Sequence, residues 1–215
     1  MAQIRRIPKL INEEHLKQVL QTISSGSNYQ KNKLGEFLRW RDSTAICLMS
    51  MCGLRPAECL MLKWEDVDFN SRLIKINAYH NKERNNMPAI LTKPAILILE
   101  NYKKAIDNFN IKCDFLFPSV WTWQPITVDA FGKRFQSLCK EAGLLNLEYY
   151  TESGRPVYNF NLYSMRHAFC TKIYKATKSE EAVTQLARHL RPESAHVYIH
   201  LNTDDKKEIA DKVFD

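Results

Sequence analysis

The segment that most constrains the fold is a nearly uninterrupted run of apolar and small residues, STAICLMSMC, at positions 43–52. It continues a helical pattern that begins near Asn32 and ends at Gly53, a residue type that commonly follows the last turn of a helix. A helix that is apolar on several sides has to be covered on several sides. The pattern therefore predicts a central helix from about Asn32 to Cys52, around which the other elements pack.

Most of the other predicted elements are also helices. Caps and apolar residues at helical spacing predict them at the following starts: Asn12, Pro56, Thr92, Thr127, Leu162, Ser179, Pro192 and Thr203 or Asp204. The helix after Thr127 is expected to turn these side chains inward: Val128, Phe131, Phe135, Leu138 and Cys139.

Strand patterns are confined to the middle of the chain. Apolar alternation predicts strands at 72–78 and 87–91, joined by a polar hairpin tip at 81–86, while residues 64–68 are typical of a turn. Residues 143–160 are rich in turn formers and are predicted to form either a surface loop or a small hairpin. The fold class is therefore α+β and mainly helical, with a small antiparallel sheet or hairpin.

The order of elements excludes several nucleotide-dependent folds. Strands do not alternate with helices, so a doubly wound parallel sheet is not expected. The sequence also contains no G-x-G-x-x-G and no Walker A motif. Chemistry driven by a bound nucleotide is therefore not supported.

Charge and cysteine content indicate the kind of partner and compartment. The formal net charge of +7 favours a polyanionic partner, either nucleic acid or a negatively charged membrane surface. No apolar run reaches the length of a membrane span, and the N-terminal sequence lacks the apolar core of a secretory signal. None of the six cysteines forms a C-x-x-C pair, so we expect buried thiols rather than a zinc site.

Residues that can handle a phosphate are concentrated between Asn161 and His200. Arg166 lies in a helical pattern, and Tyr198 follows His189 by nine positions. Arg55 lies at the start of a helix, where the helix dipole does not favour a positive charge. Helix propensity therefore does not explain why an arginine occupies this position. A tyrosine hydroxyl can attack a phosphodiester, and forked guanidinium donors can hold the charge that develops on its oxygens.

These motifs, taken in order, resemble those of the tyrosine recombinase (phage integrase) family. GLRPAECL at 53–60 resembles the family's first arginine box, and MRHAFCT at 165–171 resembles its second. RHLRPESAHVYIH at 188–200 is similar to the segment that joins its histidine to its tyrosine. The resemblance covers nearly the whole chain, from Asn12 to Tyr198, and implies the family's catalytic fold.

The resemblance implies roles for individual residues. Arg55 and Arg166 would clamp the scissile phosphate, and Tyr198 would attack it to form a 3′-phosphotyrosyl link. His189 would donate a hydrogen bond to the phosphate. His167 lies on a different side of its helix from Arg166 and is expected to be either structural or functional.

Other positions are assigned less directly or depart from the family pattern. Lys82, near the hairpin tip, is the expected general acid, with Lys75 as the alternative, and Glu58 is expected to brace Arg55. Tyr163 stands where the family usually has histidine or lysine, and is expected either to be an auxiliary phosphate contact or to pack. Arg188 stands where the family usually has glycine, and is expected either to reach the DNA backbone or to distort the turn.

The resemblance implies a site-specific DNA recombinase that integrates, excises or inverts DNA without a metal or nucleotide cofactor. Its partners would be double-stranded DNA and three further copies of the chain on paired sites, with residues 203–215 packing against a neighbour. We expect a single catalytic domain over 1–215, without the family's N-terminal core-binding domain, either as a stand-alone module or as a fragment. The expected location is the cytoplasm of a bacterium, on the nucleoid, with a bacterial or phage origin.

Two other functions remain compatible with the sequence. A type IB topoisomerase-like enzyme would use the same clamp and tyrosine to relax supercoils. A catalytically degenerate relative would bind DNA and regulate without cutting it, and Tyr163 and Arg188 are the departures that favour this alternative.

Overall fold

The computed structural model describes residues 11–26, 29–77 and 87–188, and these contain seven α-helices and two small antiparallel sheets. The helices are α1 (Glu13–Ser25), α2 (Lys33–Met51), α3 (Pro56–Leu60), α4 (Lys93–Asn108), α5 (Val128–Glu141), α6 (Tyr163–Thr177) and α7 (Glu180–Ala187). The strands are β1 (Val67–Asp68), β2 (Leu73–Ile74), β3 (Ala89–Ile90), β4 (Leu147–Tyr150) and β5 (Pro156–Tyr158). The predicted class, α+β and mainly helical, is confirmed. In the described ranges, no helix combines the length and apolar character that crossing a bilayer requires.

The predicted central helix is α2. The Asn32 side chain fixes its start by accepting a hydrogen bond from the backbone N–H of Gly35 at 2.9 Å. The second half of α2 is almost wholly buried, because α4 packs on one side of it and α6 on another. Phe37 of α2 and Tyr102 of α4 stack with their ring centroids 6.5 Å apart. The helix that the apolar run predicted therefore organises the core.

A sharp corner joins α2 to α3. The backbone N–H of Cys52 closes the last turn on the carbonyl of Leu48, and Gly53 then adopts a φ of +63°. A Cβ atom at Gly53 would lie 2.4 Å from Cδ1 of Phe169 on α6. Glycine is thus required both by the backbone conformation and by the close approach of α6. This corner places Gly53 directly against α6.

The first sheet has three strands in the order β1-β2-β3. Val67 pairs with Ile74, and Ile74 pairs in turn with Ala89. The strands are shorter than predicted, and Val67 and Asp68, predicted to lie in a turn, form a strand because Val67 packs its side chain into the core. The predicted hairpin tip at 81–86 lies outside the described residues.

Helix α5 follows its predicted cap but not every predicted orientation. The Thr127 side chain accepts a hydrogen bond from the backbone N–H of Ala130 at 3.2 Å. Val128 is 38% exposed, so the prediction that it points inward is wrong: as the first residue of α5 it precedes the part of the helix that meets the core. The other four predicted residues are buried: Phe131, Phe135, Leu138 and Cys139.

Of the two alternatives for residues 143–160, the small hairpin is confirmed. Strands β4 and β5 pair antiparallel, and Tyr149 and Tyr150 of β4 are exposed. Helix α6 follows, and Ser179 caps α7 by accepting a hydrogen bond from the backbone N–H of Ala182 at 3.1 Å. Helix α7 packs along α6, which brings the end of α7 towards the α2–α3 corner.

The six cysteines are all within the described residues and are free thiols. Five are buried, as predicted, and Cys113 is partly exposed. Burial raises the pKa of Cys47 to about 11 and that of Cys139 to about 12, which keeps both thiols protonated at neutral pH. These side chains contribute to packing.

Candidate active site

The start of α3 explains why an arginine can occupy a helix N-terminus. Arg55 is the N-cap residue, and its backbone N–H donates to Oε2 of Glu58 at 2.8 Å. Nη1 of the same arginine donates to Oε1 of Glu58 at 2.8 Å. Pro56 supplies the first helical residue, whose missing N–H costs nothing there. Glu58 therefore braces Arg55, and the side chain of Arg55 remains 14% exposed.

Arg166 ties together three separate parts of the chain. It lies on α6, and its side chain is almost completely buried. Nη1 donates to the carbonyl of Gly53 at 2.5 Å, and Nη2 donates to the carbonyl of Ala187 at the end of α7. Nη1 also lies 4.0 Å from Oε2 of Glu58. The two arginines predicted to form the phosphate clamp therefore share one carboxylate.

Arg188 contradicts the prediction that its side chain reaches the DNA backbone. It follows α7 with a φ of 57° and a ψ of 45°, the left-handed conformation that often ends a helix. Helices often end with this conformation, but it is strained for a residue other than glycine. The side chain does not reach outward: it is 2% exposed, and Nη2 lies 2.6 Å from Oε2 of Glu58. Packing against a buried carboxylate turns this side chain inward.

The charges of this cluster influence one another strongly. Burial acts to raise the pKa of Glu58, but Arg188 and Arg55 outweigh it and hold that pKa below its usual value. Burial and the positive charges of Arg55 and Arg188 lower the pKa of Arg166 to about 10. At neutral pH the cluster therefore contains one carboxylate and three guanidinium groups.

Two further candidates lie on α6. Tyr163 is its first residue and is 50% exposed, so the hydroxyl is not held in the core. It precedes Arg166 by three positions, which places both on neighbouring turns of one helix face. His167 is partly buried, and burial together with Arg166 lowers its pKa, so its ring is neutral at pH 7.

Three of the predicted catalytic residues, Lys82, His189 and Tyr198, lie outside the described residues. The alternative general acid, Lys75, is exposed just beyond β2, and its backbone N–H donates to the carbonyl of Asp66 at 2.8 Å. The structure thus brings together Arg55 and Arg166 from the predicted set.

Sequence reasoning missed the part that Arg188 plays. One signal was present: the family usually has glycine at this position, as is typical of a left-handed residue at a helix end. An arginine at such a position needs a specific contact to hold it. The contact could not be read from the sequence, because Glu58 is 130 residues away.

The arrangement has the chemistry of an anion site. Guanidinium groups stay protonated and present forked donors that match phosphate oxygens. One carboxylate leaves two of the three positive charges uncompensated, and burial strengthens the attraction of such charges for an anion. Arg55 is the most exposed of the three, and is therefore the arginine best placed to meet a ligand.

Comparison with known proteins agrees with these features. The sequence profile of the phage integrase family matches residues 9–205. Tyrosine recombinase XerC of Mannheimia succiniciproducens is 27% identical over 210 residues, which is 97% of this chain and 62% of the relative. XerC of Chlorobaculum parvum is 24% identical over 218 residues, covering 97% of this chain and 61% of the relative. The chain thus spans about three fifths of the length of these two relatives.

Solved structures share the fold. The XerA recombinase superimposes with a TM-score of 0.70 at 18% identity, covering 96% of this chain and 66% of that one. The XerH recombinase, in a post-cleavage complex with palindromic difH, superimposes with a TM-score of 0.69 at 21% identity, covering 95% of this chain and 53% of that one. With its profile matched from residue 9 to residue 205, this chain belongs to the phage integrase family.

Proposed function

We propose that the protein is a site-specific tyrosine recombinase that cuts and rejoins double-stranded DNA. The observation that carries the proposal is the convergence of Arg55 and Arg166 on Glu58, which builds a buried cationic site at the corner between α2, α3 and α6. Family membership and the tyrosine recombinase relatives support the same function.

The proposed reaction is a transfer of the phosphodiester to a tyrosine. The hydroxyl oxygen of Tyr198 attacks the scissile phosphorus, and the bond from phosphorus to the 5′ oxygen breaks. Arg55, Arg166 and His189 hold the phosphate oxygens as negative charge develops on them. The tyrosine proton passes to solvent water, and Lys82 donates a proton to the departing 5′ oxygen.

The product retains the energy of the broken bond as a 3′-phosphotyrosyl link. A 5′ hydroxyl can attack that link and reseal the strand by the reverse of the same chemistry. The reaction therefore balances without a nucleotide or an external reductant. Whether rejoining integrates, excises or inverts DNA depends on how the two sites are arranged on the substrate.

The proposal includes DNA and further copies of the chain as partners. The solved structures of XerH and of the Tn1549 transposon integrase, two proteins with the same fold, are complexes with DNA. Recombination of paired sites implies four protomers, and residues 203–215, with Ile209, Ala210 and Val213 at helical spacing, are proposed to contact a neighbour. A cytoplasmic location on the nucleoid follows from a chromosomal substrate and is part of the same proposal.

Trapping of a covalent complex tests the function directly. Nicked duplexes tiled across the DNA that flanks the gene release the short strand after cleavage, so resealing is prevented. We expect wild-type protein to become covalently attached and Tyr198→Phe to bind without attaching. Arg166→Lys keeps the positive charge but loses the paired N–H donors of the guanidinium group. It should slow covalent attachment by about a hundred- to a thousandfold.

The other outcomes distinguish the alternative functions. Tight binding by wild-type protein with no covalent product would favour a DNA-binding regulator. Relaxation of a supercoiled plasmid that lacks paired sites would favour a topoisomerase-like enzyme. A covalent complex that survives Tyr198→Phe would refute the assigned nucleophile.

A further inference from the structure

Arg188 is the feature that the proposed reaction does not use. Its guanidinium is buried, and its backbone adopts a left-handed conformation that residues other than glycine rarely take. Both features cost free energy, and the burial would not arise if the side chain were simply solvated. The ion pair with Glu58 at 2.6 Å is the contact that can offset these costs.

The Glu58 carboxylate is fixed from two directions. Oε1 accepts from Nη1 of Arg55 at 2.8 Å. Oε2 accepts from the backbone N–H of Arg55 at 2.8 Å and from Nη2 of Arg188 at 2.6 Å. A carboxylate held through both oxygens cannot rotate freely, so the guanidinium of Arg55 is held at one angle. Arg188 therefore acts on Arg55 through Glu58.

Arg188 also changes the charge of the site. With glycine at 188, Glu58 would face Arg55 and Arg166, and the cluster would have one excess positive charge. With arginine it has two. Nη1 of Arg188 is buried and has no hydrogen-bond partner among the described residues. The cluster is thus rich in positive charge before any anion enters it.

We propose that Arg188 is a positioning residue of the phosphate site, which orients Arg55 through Glu58 and adds one positive charge beside the scissile phosphate. The inference rests on the proposed function for its kinetic consequence, but the anion affinity that it predicts does not depend on strand cleavage. Arg188 should affect the rate of cleavage, through the negative charge that develops in the transition state, more than the affinity for DNA. Long DNA is bound through many other phosphates, so one site contributes little to that affinity.

The test compares Arg188→Gly, Arg188→Met and Arg188→Lys. Glycine suits the left-handed backbone, so a purely structural role predicts that Arg188→Gly is the best tolerated of the three. A positioning role predicts the reverse order for cleavage, with lysine the best because it keeps the charge. The matched control is Arg134→Met, which removes another arginine paired with a buried carboxylate, Asp42, at 3.2 Å.

The first readout is covalent attachment to a nicked duplex at saturating DNA, with Kd measured on the same duplex. For Arg188→Gly and Arg188→Met we expect attachment about 10- to 100-fold slower, the range typical when a residue that orients a metal ligand, a similarly indirect role, is removed. Their Kd should change little, and Arg188→Lys should recover much of the rate. Wild-type rates in Arg188→Gly, or an equal loss in Arg134→Met, would overturn the proposal.

The second readout works even if no strand is cut. Inorganic phosphate should raise the unfolding temperature of wild-type protein and of Arg134→Met by similar amounts, because an anion that binds the folded state stabilises it. The shift should be clearly smaller in Arg188→Gly. An equal shift in all three proteins would overturn the role of Arg188. A missing covalent complex in wild-type protein, with the phosphate shifts as expected, would overturn the proposed function alone.

Discussion

Glu58 is the single residue on which the described part of the site depends most. It is the fully buried carboxylate that Arg55 and Arg188 contact, with Arg166 at 4.0 Å. A buried guanidinium without a counter-charge is costly, so the three arginines can lie close together only while Glu58 is ionised. The carboxylate thus has a structural effect, which stability can measure, and an effect on the site, which anion binding can measure.

The pH dependence of stability should reveal the charge of Glu58. Because its pKa is lower in the folded chain than the usual 4.5, ionised Glu58 stabilises the fold above that pH. This contribution is lost as the pH falls through the folded-state pKa. Glu58→Gln should lose about 3–5 kcal/mol of unfolding free energy at pH 7, the range for breaking a buried ion pair. Urea unfolding of both proteins from pH 7 to pH 3.5 would show the difference narrowing at the acid end.

A surface carboxylate provides the control for that experiment. Glu13 is exposed, and its pKa is also lowered, by the hydrogen bond and the charge of Lys172 at 2.6 Å. Solvent screens that pair, so Glu13→Gln should change stability little at either pH. A Glu58→Gln difference that stayed constant across the pH range would mean that lost packing, rather than lost charge, causes it.

At the scale of elements, local signals predicted the helices well and long-range contacts were missed. Asn12, Asn32, Thr127 and Ser179 each cap the helix predicted after them, because a cap bonds only to the next turn. Strand lengths were less accurate, since pairing depends on a second segment that the local pattern does not contain. Among site residues, the bracing of Arg55 by Glu58 was predictable within one turn, whereas the link from Arg188 to the same carboxylate was not.

The α2–α3 corner gives a prediction about how closely two elements must approach. Gly53→Ala places a Cβ atom 2.4 Å from the Phe169 ring, at a φ of +63°. Gly143→Ala is the matched control, since its φ is +70° and nothing lies within 4 Å of its added Cβ atom. Both should lose about 1–2 kcal/mol for the left-handed backbone, and Gly53→Ala a further 1–3 kcal/mol or so for overpacking. Chemical denaturation measures both, and equal losses would contradict a tight corner.

At the scale of the whole molecule, the net charge of +7 predicts how DNA binding should respond to salt. Each phosphate neutralised by the protein releases condensed counterions, so log Kd should rise linearly with log salt, by about 0.9 per phosphate contact. Tyr198→Phe removes a hydroxyl without changing charge and should keep the same slope. Fluorescence anisotropy between 50 and 200 mM salt, roughly the range over which such contacts weaken, would measure it. A Kd that did not change with salt would contradict binding through the phosphate backbone.

Assembly on DNA can be tested through an apolar groove between α1 and α6. The groove has a volume of about 960 Å³, and Leu16, Leu20, Met51 and Ala168 are among the residues that line it. The segment proposed to contact a neighbour, residues 203–215, carries apolar residues at helical spacing that would suit the apolar lining of this groove. Two variants separate the halves of this contact: removal of 203–215 takes away the segment, and Ala168→Glu places a charge in the groove.

Each variant alone should bind a DNA duplex that carries two sites, but its copies should not associate stably with one another. Every contact between copies needs both the segment of one copy and the groove of the other. An equimolar mixture of the two variants should restore association of two protein copies on the duplex, since one variant keeps the groove and the other keeps the segment. Sedimentation of the protein–DNA complexes would measure this, with Trp121→Ala, a 91% exposed side chain outside the groove, as the control that assembles like wild type. Assembly by the truncated variant alone would place the contact elsewhere, and a mixture that failed to pair would show that segment and groove do not meet.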